Sequence, residues 1–143
     1  MSDILKELYT QQIKNINFHS VAMQTYQLFG DFNKMKKIHR KKLGEEINNY
    51  FALLLDMTDR TRQLVNIPDI KFPAMEITER PPSRLKRMEL HKSMLQSWEE
   101  WEESVLSLYS KAVEKYPHCV LLKSLVRDTE NELKFIRKML GCL

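Results

Sequence analysis

Four of the chain's five prolines fall within a single stretch, residues 66–82 (NIPDIKFPAMEITERPP). Proline has no backbone N–H to donate and disfavours helix in the residue before it, so this stretch does not continue a helix. Its 17 residues can reach about 55 Å when extended, whereas a helix of about 30 residues is roughly 45 Å long. The stretch is therefore long enough to run the length of a helix bundle and to join two helices that point the same way.

Long segments with helical periodicity lie on both sides of this linker. Apolar residues at three- and four-residue steps predict helices over about 3–29, 31–65, 83–115 and 117–140. Asp31 and Ser83 are the predicted caps of the second and third helices, while Gly30 and Pro117 mark short breaks. Because those breaks are short, each helix pair is expected to be antiparallel. The sequence predicts an all-α, single domain of residues 1–143, a four-helix bundle with one long crossover.

Composition supports a helical domain that lies outside a membrane. Of 143 residues, 43% are hydrophobic and 29% charged, with three glycines, as expected of long amphipathic helices. The net charge of +4 comes mainly from basic runs at 34–42 and 80–92. Interleaved charge of this kind is typical of a solvated helix face, and no aromatic-studded basic motif indicates nucleic acid. Without a run of 18 apolar residues, a signal peptide or a Cys-x-x-Cys spacing, we expect a cytoplasmic protein.

The predicted buried faces contain polar residues. The apolar stripe expected for the second helix is Leu43, Ile47, Tyr50, Phe51, Leu54 and Met57, and for the third it is Leu85, Met88, Leu95, Trp98, Val105, Leu108, Tyr109 and Ala112. The polar side chains expected on or beside inward faces are His19, Glu46, Asn49, His91, Glu102 and Glu132. A buried carboxylate is costly unless it is paired or bound to a metal. A bound cation, protonation, or rotation toward solvent would each resolve the cost.

Each of these polar residues also has an ordinary structural interpretation. A histidine on an apolar face is usually a hydrogen-bonded core residue, and Glu46 lies at the edge of its stripe. Glu102 is more central, since Trp98 precedes it by four residues and Val105 follows by three. Because acidic residues occupy 99, 100, 102 and 103, several helix rotations would place a carboxylate inward, and Glu99 remains a candidate.

Four stretches of the chain carry a resemblance to a known superfamily. They are QQIKNINFHSVAMQTYQLF (11–29), HRKKLGEEINNYFALL (39–54), NIPDIKFPAMEITERPPS (66–83) and LVRDTENELKFIRKML (125–140). In order and character they resemble the ferritin-like superfamily, ferritin and rubrerythrin relatives especially. The resemblance implies the same crossover bundle, with metal held by glutamates and Glu-x-x-His pairs on facing helices.

The sequence departs from that family's ligand pattern. The positions that match the family's ligands are Asn15 or Ile16 in the first helix and Glu46 with Asn49 in the second. In the third helix they are Gln96, Glu99 or Glu102, and in the fourth they are Thr129 with Glu132. The resemblance implies two histidines and a first-helix glutamate that are missing here, which argues against a standard ferroxidase. A degenerate site for iron or another divalent metal is still predicted, with candidate ligands Glu46, Glu102, Glu132, Glu99, Asn49 and His19.

Two other functions remain open at this stage. One is a non-catalytic helical module that has lost its metal and acts through its surface, as a homo-oligomer (dimer or larger) or with a protein partner. It is supported by methionines that are expected to be exposed, Met75, Met94 and Met139. The other follows from KKLGEEINNYFALLLDMTD (41–59), which resembles the magnesium-binding helix of MazG-type nucleotide pyrophosphohydrolases. The third glutamate of that pattern is Asn49 here, so the match is incomplete.

Overall fold

The computed structural model describes residues 3–30, 32–65 and 83–143, and these ranges contain helices but no strand. Helices α1 to α4 span Asp3–Phe29, Asn33–Thr61, Arg84–Lys115 and Val120–Gly141. The all-α four-helix prediction is confirmed. The predicted linker at 66–82, the Asp31 cap and Met75 lie outside the described residues.

Local interactions explain where the helices begin and end. Ser83 caps α3 as predicted, with its Oγ accepting a hydrogen bond from the Lys86 N–H at 3.3 Å. The second helix ends earlier than the predicted Val65, because Arg62 adopts a left-handed conformation (φ 56°) and its N–H donates to the Thr58 carbonyl. The fourth helix begins three residues after Pro117, with Cys119 at its cap position.

Contacting side chains fix the directions of the helices. The pairs are Tyr9–Tyr50 and His19–His39 between α1 and α2, and Gln12–Tyr109 and Tyr26–His91 between α1 and α3. In both sets the number in α1 rises as that of its partner falls, so α1 is antiparallel to both neighbours. Helices α2 and α3 therefore point the same way, which is the arrangement that a crossover connection requires.

The buried core consists of two apolar clusters separated by polar side chains. One cluster is Leu5, Leu8, Tyr9, Leu53, Met57, Val105, Tyr109, Ala112, Cys119, Leu122 and Leu125, and the other is Phe18, Ala22, Tyr26, Phe29, Met35, Leu95, Trp98 and Ile136. Between them along the helices are the buried residues Gln12, Asn15, His19, His39, Glu46, Glu102 and Thr129, which we call the polar layer. The polar layer lies near the middle of the bundle and is contributed by all four helices.

Helix α2 is rotated relative to the predicted stripe, of which Met57 is buried and Tyr50 and Leu54 pack against the first apolar cluster, but other members are exposed. Its buried residues are Met35, His39, Glu46, Leu53 and Met57, whereas Ile47 and Phe51 are 36% and 55% exposed. The buried residues are separated by four or seven positions and so stay on one face over the whole helix. The predicted stripe, in contrast, contains no residue from the basic first half of α2.

The start of α3 is also more exposed than predicted. Leu85 is 73% exposed and Met88 is 41% exposed. Since Tyr26 pairs with His91 and α1 ends at Phe29, the first turn of α3 extends beyond the end of α1. Met94 and Met139, expected to be exposed, are instead half-buried against the second apolar cluster. None of the described helices is long and apolar enough to cross a membrane.

Candidate metal centre

Three side chains of different helices converge at the polar layer. His19 of α1, Glu46 of α2 and Glu102 of α3 each place one ligand atom within 4.8 Å of the others. All three side chains are buried, with exposed fractions of 0%, 7% and 1%. His19 Nε2 lies 3.9 Å from Glu102 Oε1, too far for a hydrogen bond. The separation is consistent with two atoms that approach a shared ligand rather than each other.

Several polar atoms here lack a hydrogen bond. Among the residues that the structure describes, His19 Nε2, Glu102 Oε2 and Gln12 Oε1 are buried without a partner. A buried polar atom left unpaired costs about 1–3 kcal/mol, so such atoms are uncommon in native proteins. A bare imidazole nitrogen and a carboxylate oxygen are both metal ligands. The unpaired donor set therefore fits a bound cation.

A second histidine supports His19 from behind. The Nδ1 atoms of His19 and His39 lie 2.9 Å apart, so one donates a hydrogen bond and the other accepts. When His19 Nδ1 donates, its Nε2 is bare and able to bind a cation. Burial lowers the pKa of His19 to about 3 and that of His39 to about 4, so both rings are neutral at neutral pH. His39 is held in place by Trp98, with ring centroids 4.7 Å apart.

The carboxyl groups of Glu102 and Glu132 form a second branch of the centre. Trp98 Nε1 donates to Glu102 Oε1 at 3.3 Å, and the negative charge of Glu132 lies close enough to raise the pKa of Glu102. Lys42 forms an ion pair with Glu132. The charge of Glu132 favours the neutral form of Glu102.

Burial also favours the neutral forms of Glu46 and Glu102. It raises the pKa of Glu46 to about 8 and that of Glu102 well above its ordinary value, and the negative charge of Glu132 adds to both shifts. Each group would have to lose its proton to bind a cation. In the absence of a cation, protonation is how the polar layer avoids buried negative charge.

A cleft between α2 and α4 leads toward Glu46. These two helices are the most loosely packed neighbours in the bundle. The cleft has a volume of about 620 Å³ and is lined by Ile38, Lys41, Lys42, Glu45, Glu46, Asn49, Tyr109, Leu125, Asp128, Thr129, Asn131, Glu132 and Phe135. It offers a route from solvent to the buried carboxyls.

The predicted ligands are thus brought together only in part. His19, Glu46 and Glu102 form the centre, and Glu132 lies outside that group but close to Glu102. Asn49 is half-buried in the lining of the cleft. Glu99 lies apart from the centre, where its Oε2 accepts a hydrogen bond from Arg137 Nε at 3.0 Å.

Sequence reasoning missed two functional neighbours, His39 and Lys42. Both lie in the basic run KMKKIHRKK, whose charge suggests a solvated face. The signal that identifies His39 is its seven-residue spacing to Glu46 and from there to Leu53, which places all three on one face of α2. His91, by contrast, is an ordinary buried histidine whose Nδ1 is hydrogen-bonded to the Tyr26 hydroxyl at 2.7 Å.

The fold and the centre together define a crossover four-helix bundle with a buried histidine–carboxylate cluster. No family model matches the chain, and comparison with curated proteins and with solved structures found no match. The function is therefore argued from the chemistry of the centre itself.

Proposed function

We propose that the chain is a divalent-metal-binding bundle in which His19, Glu46 and Glu102 hold the ion. The observation that carries the proposal is the approach of three buried ligand atoms to within 4.8 Å of one another. Two further facts support it: His19 Nε2 and Glu102 Oε2 have no hydrogen-bond partner within the described ranges, and a cleft reaches Glu46 from solvent.

The ligand types favour iron or a similar transition metal over calcium or magnesium. Imidazole nitrogen suits iron, zinc and other borderline cations, whereas calcium and magnesium prefer sites made only of oxygen. The crossover topology and the location of the centre at mid-bundle support a relationship to ferritin-like proteins. The first helix here would supply a histidine in place of that family's glutamate, and Asn49 would not replace its second-helix histidine. We therefore propose metal binding and not a standard ferroxidase reaction.

The proposal is tested by titrating dialysed protein with Fe²⁺ under anaerobic conditions, and separately with Mn²⁺ and Zn²⁺. Metal content and the melting temperature are measured. At 100 times the Kd, binding adds about 2.7 kcal/mol to the free energy of unfolding, which raises Tm by roughly 10 °C in a domain of this size. His19→Gln should lose the effect, whereas His118→Gln, at an exposed position before α4, should keep it. No retained ion and no change in Tm with any of the three metals would refute the proposal.

We propose self-association as a second candidate function, because α2 has an exposed apolar stripe. Ile47, Phe51 and Leu55 follow at four-residue steps and are 36%, 55% and 71% exposed. Four-residue spacing places them along one side of the helix. Two copies of this stripe packed about a two-fold axis would cover each other, as in most homodimers.

Light scattering coupled to size-exclusion chromatography tests this candidate. The wild-type chain is expected to elute as a dimer, and Phe51→Glu as a monomer, because the substitution buries a charge in the contact. Leu64→Glu is the matched control, since Leu64 is 81% exposed but lies beyond the end of α2. A wild-type chain that stays monomeric when loaded at about 100 times the usual protein concentration would rule the contact out.

A further inference from the structure

The Lys42 ammonium lies where acidic side chains of two helices meet. Its Nζ forms ion pairs with Glu132 of α4 and, at 3.1 Å, with Glu45 Oε2 of α2. The Lys42 and Glu132 side chains are only 22% and 13% exposed. A position surrounded by carboxylate oxygens in a half-buried cleft is suited to a cation, and here the cation is part of the chain.

This position adjoins the centre formed by His19, Glu46 and Glu102. Glu132 connects the two, because it forms an ion pair with the Lys42 ammonium and its negative charge acts on the Glu102 carboxyl. The Lys42 charge also acts on Glu46, which it favours in the ionised form. One ammonium thus pairs directly with Glu45 and Glu132 and also acts through its charge on a member of the polar layer.

A count of charges indicates how many ions the site accepts. The ionised carboxyls of Glu45, Glu46, Glu102 and Glu132 supply four negative charges, and Lys42 supplies one positive charge. One divalent cation leaves this group with one negative charge, which solvent can stabilise at Glu45, whose side chain is 44% exposed. A second divalent cation would leave an excess of one positive charge and would lie beside the Lys42 ammonium in a mostly buried place, which is unfavourable. Without the Lys42 charge, two divalent cations make the group neutral.

We propose that Lys42 fills a second cation position, so that the chain binds one divalent ion and excludes another. The inference rests on the proposed metal-binding function. It makes Lys42 a residue that sets the number of ions bound, although it is itself not a ligand. Removing its charge should open Glu132, with Glu45 beside it, to a second ion.

The experiment compares Mn²⁺ binding to the wild-type chain, Lys42→Gln and Lys42→Arg. Ions per chain are counted by native mass spectrometry and elemental analysis, and the electron paramagnetic resonance spectrum distinguishes isolated from coupled Mn²⁺. We expect one ion and an isolated-ion spectrum for the wild-type chain and for Lys42→Arg. We expect two ions and a coupled spectrum for Lys42→Gln. Lys41→Gln is the matched control, since Lys41 is 77% exposed and pairs only loosely with Glu45, at 3.9 Å; it should bind one ion.

The possible failures are distinguishable. Two ions on the wild-type chain would support metal binding but overturn the role of Lys42. A single ion on Lys42→Gln would have the same two consequences. No ion on any variant would overturn the proposed function and this inference with it. If Lys42→Gln folds only with Mn²⁺ present, its ions are counted after refolding with the metal and desalting.

Discussion

Replacing Glu102 with glutamine is expected to stabilise the metal-free protein and to abolish most of its metal binding. The reason lies in the position of Glu102, which is 1% exposed and central to the polar layer.

The stabilising effect follows from protonation. Glu102 ionises near its ordinary value of 4.5 in the unfolded chain, but burial raises its pKa far above that value in the folded protein. At pH 8 the unfolded state gains free energy from ionisation that the folded state does not share. Glutamine is neutral in both states, and its amide can still accept from Trp98 and donate to Glu132. We expect the free energy of unfolding at pH 8 to rise.

The loss of binding follows from the loss of a charged ligand. Changing an outer neighbour of a metal ligand typically costs 10–100-fold in affinity. Removing a ligand with its negative charge should cost more, so we expect a fall of at least about 100-fold.

Urea unfolding at pH 8 without metal and isothermal titration with Mn²⁺ measure the two effects. Glu103→Gln is the matched control on the same helix, since the Glu103 side chain is 51% exposed and pairs with Arg137; it should change neither quantity by much. A Glu102→Gln protein that binds Mn²⁺ normally, or that is clearly less stable at pH 8, would contradict the centre described above.

The second large effect that we expect is a change in the free energy of unfolding with pH. Between about pH 6.5 and pH 8 the metal-free protein should lose stability as the pH rises, by at least about 1 kcal/mol. Most domains change little in this range, because ordinary carboxyls are already ionised and lysines are still protonated.

Whether the stability of the fold rises or falls with pH depends on two pairs of titratable groups. Glu46 and Glu102 have raised pKa values, about 8 for Glu46, so the folded state binds more protons than the unfolded state above pH 4.5 and stability falls with pH. His19 and His39 have lowered pKa values, about 3 and 4, so the stability that they contribute is present above pH 6.5 and is lost as the pH falls. Between about pH 4.5 and 6.5 the two pairs offset each other, and above that window only the carboxyls act.

Chemical denaturation at half-unit intervals from pH 5 to pH 8.5 measures this profile. Glu46→Gln should flatten the fall above pH 6.5 by about half, whereas Glu130→Gln, an exposed residue of α4, should leave it unchanged. A saturating divalent ion should also remove the fall, because it binds the ionised carboxyls. Stability that rises from pH 6.5 to 8 in the wild-type chain would show that Glu46 and Glu102 are not buried as described.

Much of the fold could be predicted from the sequence because the strongest signals were local. The Ser83 cap, the short breaks and the lengths of the periodic segments are properties of neighbouring residues. The crossover followed from the proline-rich linker and agrees with the parallel directions of α2 and α3. The rotation of α2 was missed because its second half has apolar residues on two sides. Only packing against α1 determines that Leu53 is buried and Phe51 exposed.

The centre was predicted less completely, for a physical reason. Periodicity indicated His19, Glu46 and Glu102 as inward residues, and the structure brings those three together. Which carboxylate of α3 turns inward depends on the rotation of the helix to within a fraction of a turn, and so Glu99 remained a candidate beside Glu102. His39 and Lys42 were missed because their basic run was interpreted as a solvated face, although the seven-residue spacing from His39 to Glu46 places both of these residues on one face of α2.

The division of the core into two apolar clusters has a consequence for how the chain selects one alignment of its helices. Apolar side chains alone tolerate a slide of one helix past another by a turn, about 5.4 Å, since one leucine can replace the next. Here such a slide of α2 would carry Glu46 away from the polar layer and into leucines and aromatic rings. The cost of burying that carboxyl alone would be several kcal/mol. We infer that the same residues that weaken the core also fix the register of the bundle.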